Sequence, residues 1–82
     1  MRVEVRLPQW GMGMQEGTIV SWLKKEGDQV QRGEALVDIE TAKVTETLEA
    51  PVSGTLTRIV VPDGEVIEVR ALIAEIESDE AP

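Results

Sequence analysis

The feature that most constrains this chain is an internal repeat. Displaced by 37 positions, residues 17–40 align with residues 54–77 without a gap. Gly17, Thr18, Gly27, Ile39 and Glu40 meet Gly54, Thr55, Gly64, Ile76 and Glu77 as identities. The apolar phase is shared as well: Ile19 meets Leu56, Trp22 meets Ile59, Val30 meets Ile67 and Leu36 meets Ile73. Each half also carries an acidic-glycine-acidic turn, Glu26-Gly27-Asp28 and Asp63-Gly64-Glu65. Two copies of one strand set can close two sheets over a shared core about a pseudo-two-fold axis. The 82 residues leave room for one such domain and no second.

Local signals point the same way. Glycines at 11, 13, 17, 27, 33, 54 and 64 and prolines at 8, 51 and 62 interrupt every long window except 34–50, and that window is rich in Val, Ile and Thr. Residues 41–49 alternate with period two rather than 3.6, and Val3-Glu4-Val5-Arg6-Leu7 alternates as a half-buried strand. The expectation is an all-β barrel or sandwich with strands near 17–24 and 34–40 and their mates near 54–61 and 71–77. Gly27 and Gly64 suit the positive φ that the turns at 26–28 and 63–65 require. The expected core is Ile19, Val30, Leu36, Ile39, Leu56, Ile67, Ile73 and Ile76. Trp22 joins it or covers one end, and Trp10 is partly exposed in a Gly/Met loop.

Composition removes whole classes of function. With no Cys, a disulfide framework, an iron–sulfur cluster and a thiolate zinc site are excluded. With no His, neither a Ser-His-Asp triad nor a Cys-His pair can be built. Eight basic against 16 acidic residues give a net charge of −8, which repels phosphate backbones, so nucleic acid is not an expected partner. Apolar runs reach about four residues, against roughly 20 for a membrane span, and Met1-Arg2-Val3-Glu4 lacks a signal-peptide core. The expectation is a small, soluble, intracellular acidic domain with no catalytic constellation of its own.

The two halves differ most where the first one ends. After Asp38-Ile39-Glu40 the chain continues Thr41-Ala42-Lys43-Val44-Thr45-Glu46-Thr47, whereas after Glu77 only Ser78-Asp79-Glu80-Ala81-Pro82 remain. Lys43 therefore falls where a strand turns back at one end of the barrel. Taken alone, a hairpin lysine is a solvated surface residue. This one is flanked by small or β-branched neighbours and surrounded in sequence only by the acids Asp38, Glu40, Glu46 and Glu49.

Asp38-Ile39-Glu40-Thr41-Ala42-Lys43-Val44 resembles the lipoylation motif of lipoyl domains, the carriers of 2-oxo acid dehydrogenase complexes. The resemblance runs over about residues 3–77. It takes in Leu7-Pro8 and its Gly/Met loop, Glu16-Gly17-Thr18-Ile19, Trp22 through Asp28, Gly33-Glu34, and Glu49-Ala50-Pro51-Val52-Ser53-Gly54. It implies a flattened barrel of two four-stranded antiparallel sheets with quasi-two-fold symmetry. It also implies lipoate on Lys43, with Glu40, Gly27, Ala42 and Val44 guiding the lipoate ligase or lipoyl transferase. Ala42 stands where Asp is usual, and Arg70 where a second-half glycine is usual.

The implied function is a non-catalytic swinging arm, either one domain of a dihydrolipoamide acyltransferase or a truncated or stand-alone copy of it. The lipoyl group is reductively acylated by a thiamine-dependent decarboxylase, passes the acyl unit to coenzyme A at the acyltransferase site, and is reoxidised by dihydrolipoamide dehydrogenase. The loop Trp10-Gly11-Met12-Gly13-Met14-Gln15-Glu16 either helps the decarboxylase choose its carrier or is a connector whose methionines cap the barrel. Its Gly-Met-x-Met pattern resembles acetyl-carrying members, of pyruvate or acetoin complexes. Residues 1–77 then form the domain and 78–82 begin a flexible linker or tail. A monomer in the bacterial cytoplasm is expected, with the mitochondrial matrix as the eukaryotic counterpart. The rivals are a biotinyl carrier, which normally has Met on both sides of its lysine, and an unmodified binding module.

Overall fold

The computed structural model describes residues 1–42 and 44–79. Its strands are β1 (Arg2–Arg6), β2 (Glu16–Trp22), β3 (Gln29–Val30), β4 (Ala35–Glu40), β5 (Thr45–Glu49), β6 (Gly54–Ile59), β7 (Val66–Glu68) and β8 (Leu72–Ser78). They form two four-stranded sheets, in the orders β1-β8-β6-β3 and β5-β4-β2-β7. Every pairing is antiparallel. The expected all-β class, with two sheets over one core, is what the chain adopts.

The sequence repeat is also a repeat of hydrogen bonds. A displacement of 37 carries β2, β3 and β4 onto β6, β7 and β8, and in space it exchanges the two sheets. The short strand of each half crosses over: β3 pairs with β6, and β7 pairs with β2. At the crossing, the Gly27 N–H donates to the Leu56 carbonyl at 2.7 Å, and the Gly64 N–H donates to the Ile19 carbonyl at 2.6 Å. In return the Leu56 N–H donates to Asp28 and the Ile19 N–H to Glu65, at 2.9 and 2.8 Å. The acidic residue before each glycine caps the opposite strand: Glu26 Oε2 accepts from the Ile59 N–H at 2.7 Å, and Asp63 Oδ1 from the Trp22 N–H at 3.1 Å. The acidic-glycine-acidic turns are therefore clasps that tie each half to the other.

Even the irregularities recur. Leu36 is the extra residue where β4 pairs β5, and Ile73 the extra residue where β8 pairs β1. Such bulges let consecutive side chains face inward, and Leu36-Val37 and Ile73-Ala74 are all fully buried. Strict alternation does not anticipate that, so Val37 and Ala74 are absent from the core read off the sequence. Val5, Leu7 and Ala50 are further buried residues it did not include. Ile67, by contrast, is only partly buried against the core. Trp22 is half-buried and ties down one end through its indole N–H, which donates to the Val61 carbonyl at 2.7 Å.

Two other details depart from the sequence reading. β3 and β7 were not foreseen as strands, because two or three residues show no periodicity and they pair only with the other half. β5 starts at Thr45, so 41–44 is the connection rather than part of the strand. At the C-terminus, β8 runs through the buried Ser78, and the Asp79 N–H donates to the Ser53 carbonyl at 3.0 Å. The end of the proposed linker, 80–82, lies outside the described residues.

Backbone conformation follows the symmetry too. Gly27 and Gly64 have φ of 95° and 89°, and the second pair, Gly33 and Arg70, has 87° and 73°. Arg70 therefore holds a left-handed conformation that disfavours a side chain. Replacing Arg70 by Gly should stabilise the domain by about 0.5–1 kcal/mol, a rise of several degrees in thermal midpoint. Gly27→Ala should cost about 1 kcal/mol from φ alone, since a Cβ there meets nothing within 4 Å. Gly54→Ala should cost more, about 3 kcal/mol, because its Cβ would strike the Glu77 carbonyl and lie 2.8 Å from Ser78 Cα. Thermal or denaturant unfolding of the three variants checks the order.

Candidate functional site

The β4–β5 hairpin carries the candidate modification site. The ladder ends at the Glu40–Thr45 pair, and Thr41 closes the connection beyond it. The Thr41 N–H donates to the Val44 carbonyl at 2.7 Å, and its Oγ1 hydroxyl donates to the same carbonyl at 2.9 Å. Thr41 Oγ1 in turn accepts from the Val44 N–H at 3.2 Å. Lys43 itself lies outside the described residues; its neighbours Ala42 and Val44 are both exposed. Thr41 was not singled out in the sequence, although Thr at the first position of a turn is a recognised local signal.

A second segment faces this hairpin for a topological reason. β2 begins at Glu16, directly after the Gly/Met loop, and its Thr18 pairs with Glu40 at the end of β4. The 10–16 loop and the 41–44 connection therefore leave the same end of one ladder. Between them runs an open groove of about 910 Å³, lined on one side by the loop and on the other by Thr41, Ala42, Val44 and Glu46. The loop is shaped by its own bonds: Met14 N–H to the Gly11 carbonyl at 3.2 Å, Trp10 N–H to Met14 Sδ at 3.4 Å, and Gln9 Nε2 to the Met14 carbonyl at 3.4 Å. Its two methionines divide the roles offered for them. Met14 packs against the core, as a cap would, while Met12 is 98% exposed.

Of the residues the resemblance selected, Glu40, Ala42, Val44 and the 10–16 loop all border this groove. Gly27 does not; it turns the chain beyond the far end of the β2–β4 ladder and bonds to Leu56. Thr18 and Glu46 border the groove without having been selected.

The electrostatics are lopsided. Strands β2, β4, β5 and β7 contain Glu16, Asp38, Glu40, Glu46, Glu49 and Glu68 and no basic residue. The other sheet balances Glu4, Glu75 and Glu77 with Arg2, Arg6 and Arg58. At the far end of the β2–β4 ladder, Lys24 Nζ meets Glu34 at 2.8 Å. Hydrogen bonding to Glu34 raises the Lys24 pKa above its ordinary value, and the same bond, helped by the Gln31 N–H, lowers that of Glu34. Among the described residues no cluster of His, Cys, Asp and Glu suits a metal ion. The arrangement sets the exposed Ala42 and Val44 beside an acid-rimmed groove of mixed polarity.

Thr41→Ala should loosen the hairpin and cost about 1 kcal/mol. Faster amide exchange at Val44 and Thr45, with the β6–β8 amides unchanged, is the expected pattern.

Comparison with known proteins follows this geometry. The family model described as Biotin-requiring enzyme, which covers biotin and lipoyl attachment domains, matches residues 3–76. The acetyltransferase component of the acetoin cleaving system of Pseudomonas putida is 43% identical over 75 residues, 92% of this chain and 20% of that protein. The succinyltransferase component of the 2-oxoglutarate dehydrogenase complex of Bartonella vinsonii subsp. berkhoffii is 40% identical over 81 residues, 99% of this chain and 20% of that protein. The chain thus spans about a fifth of the length of these curated relatives. The solved lipoyl domain of the Azotobacter vinelandii 2-oxoglutarate dehydrogenase complex superposes with a TM-score of 0.77 at 30% identity, covering 93% of this chain and 96% of that one. A single-chain long-chain acyl-CoA carboxylase shares the fold, with a TM-score of 0.81 at 22% identity over 98% of this chain and 7% of that one. A repeated strand set, two four-stranded sheets and a family match over residues 3–76 place this chain in the biotin/lipoyl attachment family, among its carrier domains.

Proposed function

We propose that this domain carries lipoate in amide linkage to Lys43, as the mobile arm of an acetyl-type 2-oxo acid or acetoin dehydrogenase complex. The observation that carries the reading is the Thr41-clamped hairpin, which brings both chain neighbours of Lys43 to the edge of the groove. The residues present fit the group: the groove offers Trp10, Met12, Met14, Ala42 and Val44 beside the neutral polar Gln15, Thr18 and Thr41, and has room for a ligand of this size. When bound, lipoate supplies a dithiolane that takes up and releases an acyl unit. The protein's part is to hold the attachment point rigidly and to be recognised. Tethering raises the local concentration of the carried unit at each partner active site.

Within that reading, Glu40, Ala42 and Val44 are the contacts for the lipoate ligase or lipoyl transferase, and Gly27 acts by holding its turn. The 10–16 loop faces the thiamine-dependent decarboxylase. The all-acidic sheet is suited to basic rims around the decarboxylase, acyltransferase and dihydrolipoamide dehydrogenase sites, where charge complementarity raises the encounter rate. The acetyl preference draws support from the Gly-Met-x-Met loop and from the acetoin-system relatives of Pseudomonas putida and Cupriavidus necator. A bacterial cytoplasmic monomer fits the same proposal. Biotin on Lys43 is the second reading, favoured by the carboxylase that shares the fold; the flanking Ala42 and Val44, where biotinyl domains carry Met, speak for lipoate.

Intact mass after incubation with ATP, lipoate and lipoate ligase, beside a biotin-ligase reaction, tests the assignment. One lipoyl increment, lost in Lys43→Arg while that variant melts normally, is the expected result. A biotin increment would replace the reading, and retention of the increment in Lys43→Arg would move the site. Exchanging residues 10–16 for the loop of a succinyl-carrying domain should slow reductive acylation by a pyruvate- or acetoin-type decarboxylase and leave lipoylation unchanged. Equal acylation rates would remove the loop's role.

A further inference from the structure

The repeat contains its own control for one strained residue. Gly33 and Arg70 are related by the 37-residue displacement, and both hold positive φ, 87° and 73°. They also make matching bonds. The Gly33 N–H donates to the Ala50 carbonyl at 2.9 Å and the Arg70 N–H to the Leu7 carbonyl at 2.8 Å; the Ala50 N–H donates to Glu34 and the Leu7 N–H to Ala71. The scaffold therefore requires a left-handed residue in both halves, and the first half meets that requirement with glycine. Arg70 is the one non-glycine residue with positive φ among those described. Its side chain is exposed and makes no hydrogen bond or ion pair with any described residue. Only its main chain is engaged, by Leu7 and by Arg6 Nη1, which donates to the Arg70 carbonyl at 2.9 Å. Strain held in place by surrounding bonds, at a residue whose side chain the fold does not use, points to a use outside the fold.

The position of the turn indicates that use. Residues 69–71 grip both ends of the Gly/Met loop. Arg70 and Ala71 bond to Leu7, where the chain enters the loop, and the Val69 N–H donates to the Gln15 carbonyl at 3.0 Å, where the chain leaves it. The loop thus has two unlike borders: Glu16, Glu40 and Glu46 along the groove, and the unpaired guanidinium of Arg70 at the base. A charge at the rim of an interface sets orientation and encounter rate, and it rejects partners that present the same sign. Resting on the reading that this loop faces the thiamine-dependent decarboxylase, we propose that Arg70 is a specificity-determining contact that pairs with a carboxylate on the decarboxylase surface. The carrier then offers an anionic groove edge and a single cation at the loop base. A decarboxylase with the matching order of charges is preferred over one whose rim is basic throughout.

The test uses the full chain, lipoylated and confirmed by intact mass, with whichever decarboxylase of the acetoin or pyruvate type acylates it fastest. Arg70→Gly removes the guanidinium and the strain together. It should melt at higher temperature yet be acylated about three- to tenfold less efficiently, through KM with kcat unchanged. Its lipoylation rate and the amide shifts of residues 10–14 should match those of the unsubstituted chain. Arg70→Lys keeps the charge and the strained φ and should recover most of the efficiency, whereas Arg70→Glu should fall below Arg70→Gly. High salt should narrow these differences, because exposed charges are screened. Equal efficiency in Arg70→Gly, or a loss that lysine does not recover, would overturn the proposal. A loss accompanied by shifted loop amides would overturn it too, by showing that residue 70 acts through the loop's shape. The 10–16 loop exchange in the same assay separates the readings. Slowing by the exchange but not by Arg70→Gly overturns the Arg70 contact alone, and slowing by neither overturns the loop's role with it. Absence of a lipoyl increment, seen in the mass spectrum, would overturn the carrier reading as well.

Discussion

The structure depends on the reciprocal exchange of two short strands. β3 leaves the first half to pair with β6, and β7 leaves the second half to pair with β2. Without the exchange each sheet would be cut to three strands, β1-β8-β6 and β5-β4-β2. With it, Ile19 and Leu56 close from opposite sheets over one core, and each has its carbonyl capped by the other half's turn glycine. Neither half can complete its hydrogen bonds alone, so the two sheets are expected to form and melt together.

Function begins where that symmetry stops. The counterpart of the β4–β5 pair is the antiparallel pair of β8 with β1, strands that are not consecutive in the chain. The Met1 amino group meets the Ser78 carbonyl at 3.3 Å and the Glu77 carboxylate at 2.5 Å. One such corner is a continuous connection closed by Thr41, and at the other Met1 meets the end of β8.

The asymmetry extends to charge. The sheet that supports the hairpin is acidic on all four strands, whereas the other pairs its acids with arginines, such as Glu4 with Arg6 at 2.8 Å. The Thr41-closed connection and the groove beside it therefore lie on the acidic sheet.

Much of this was legible in the sequence because it is local or repeated. Period-two alternation marked β1, and the 37-residue offset paired Gly27 with Gly64 and Leu36 with Ile73. The motif around Lys43 singled it out as the candidate attachment point. What tertiary structure alone decided is non-local. β3 and β7 exist only because each finds a partner strand some 25 or more residues away. The burial of Val37 and Ala74 comes from bulges set by their neighbours. The groove arises because Thr18 pairs with Glu40 and brings the Gly/Met loop beside the 41–44 turn. Residue type and spacing singled out one lysine as the candidate; strand pairing, which closes distant segments against each other, decided what stands beside its chain neighbours Ala42 and Val44.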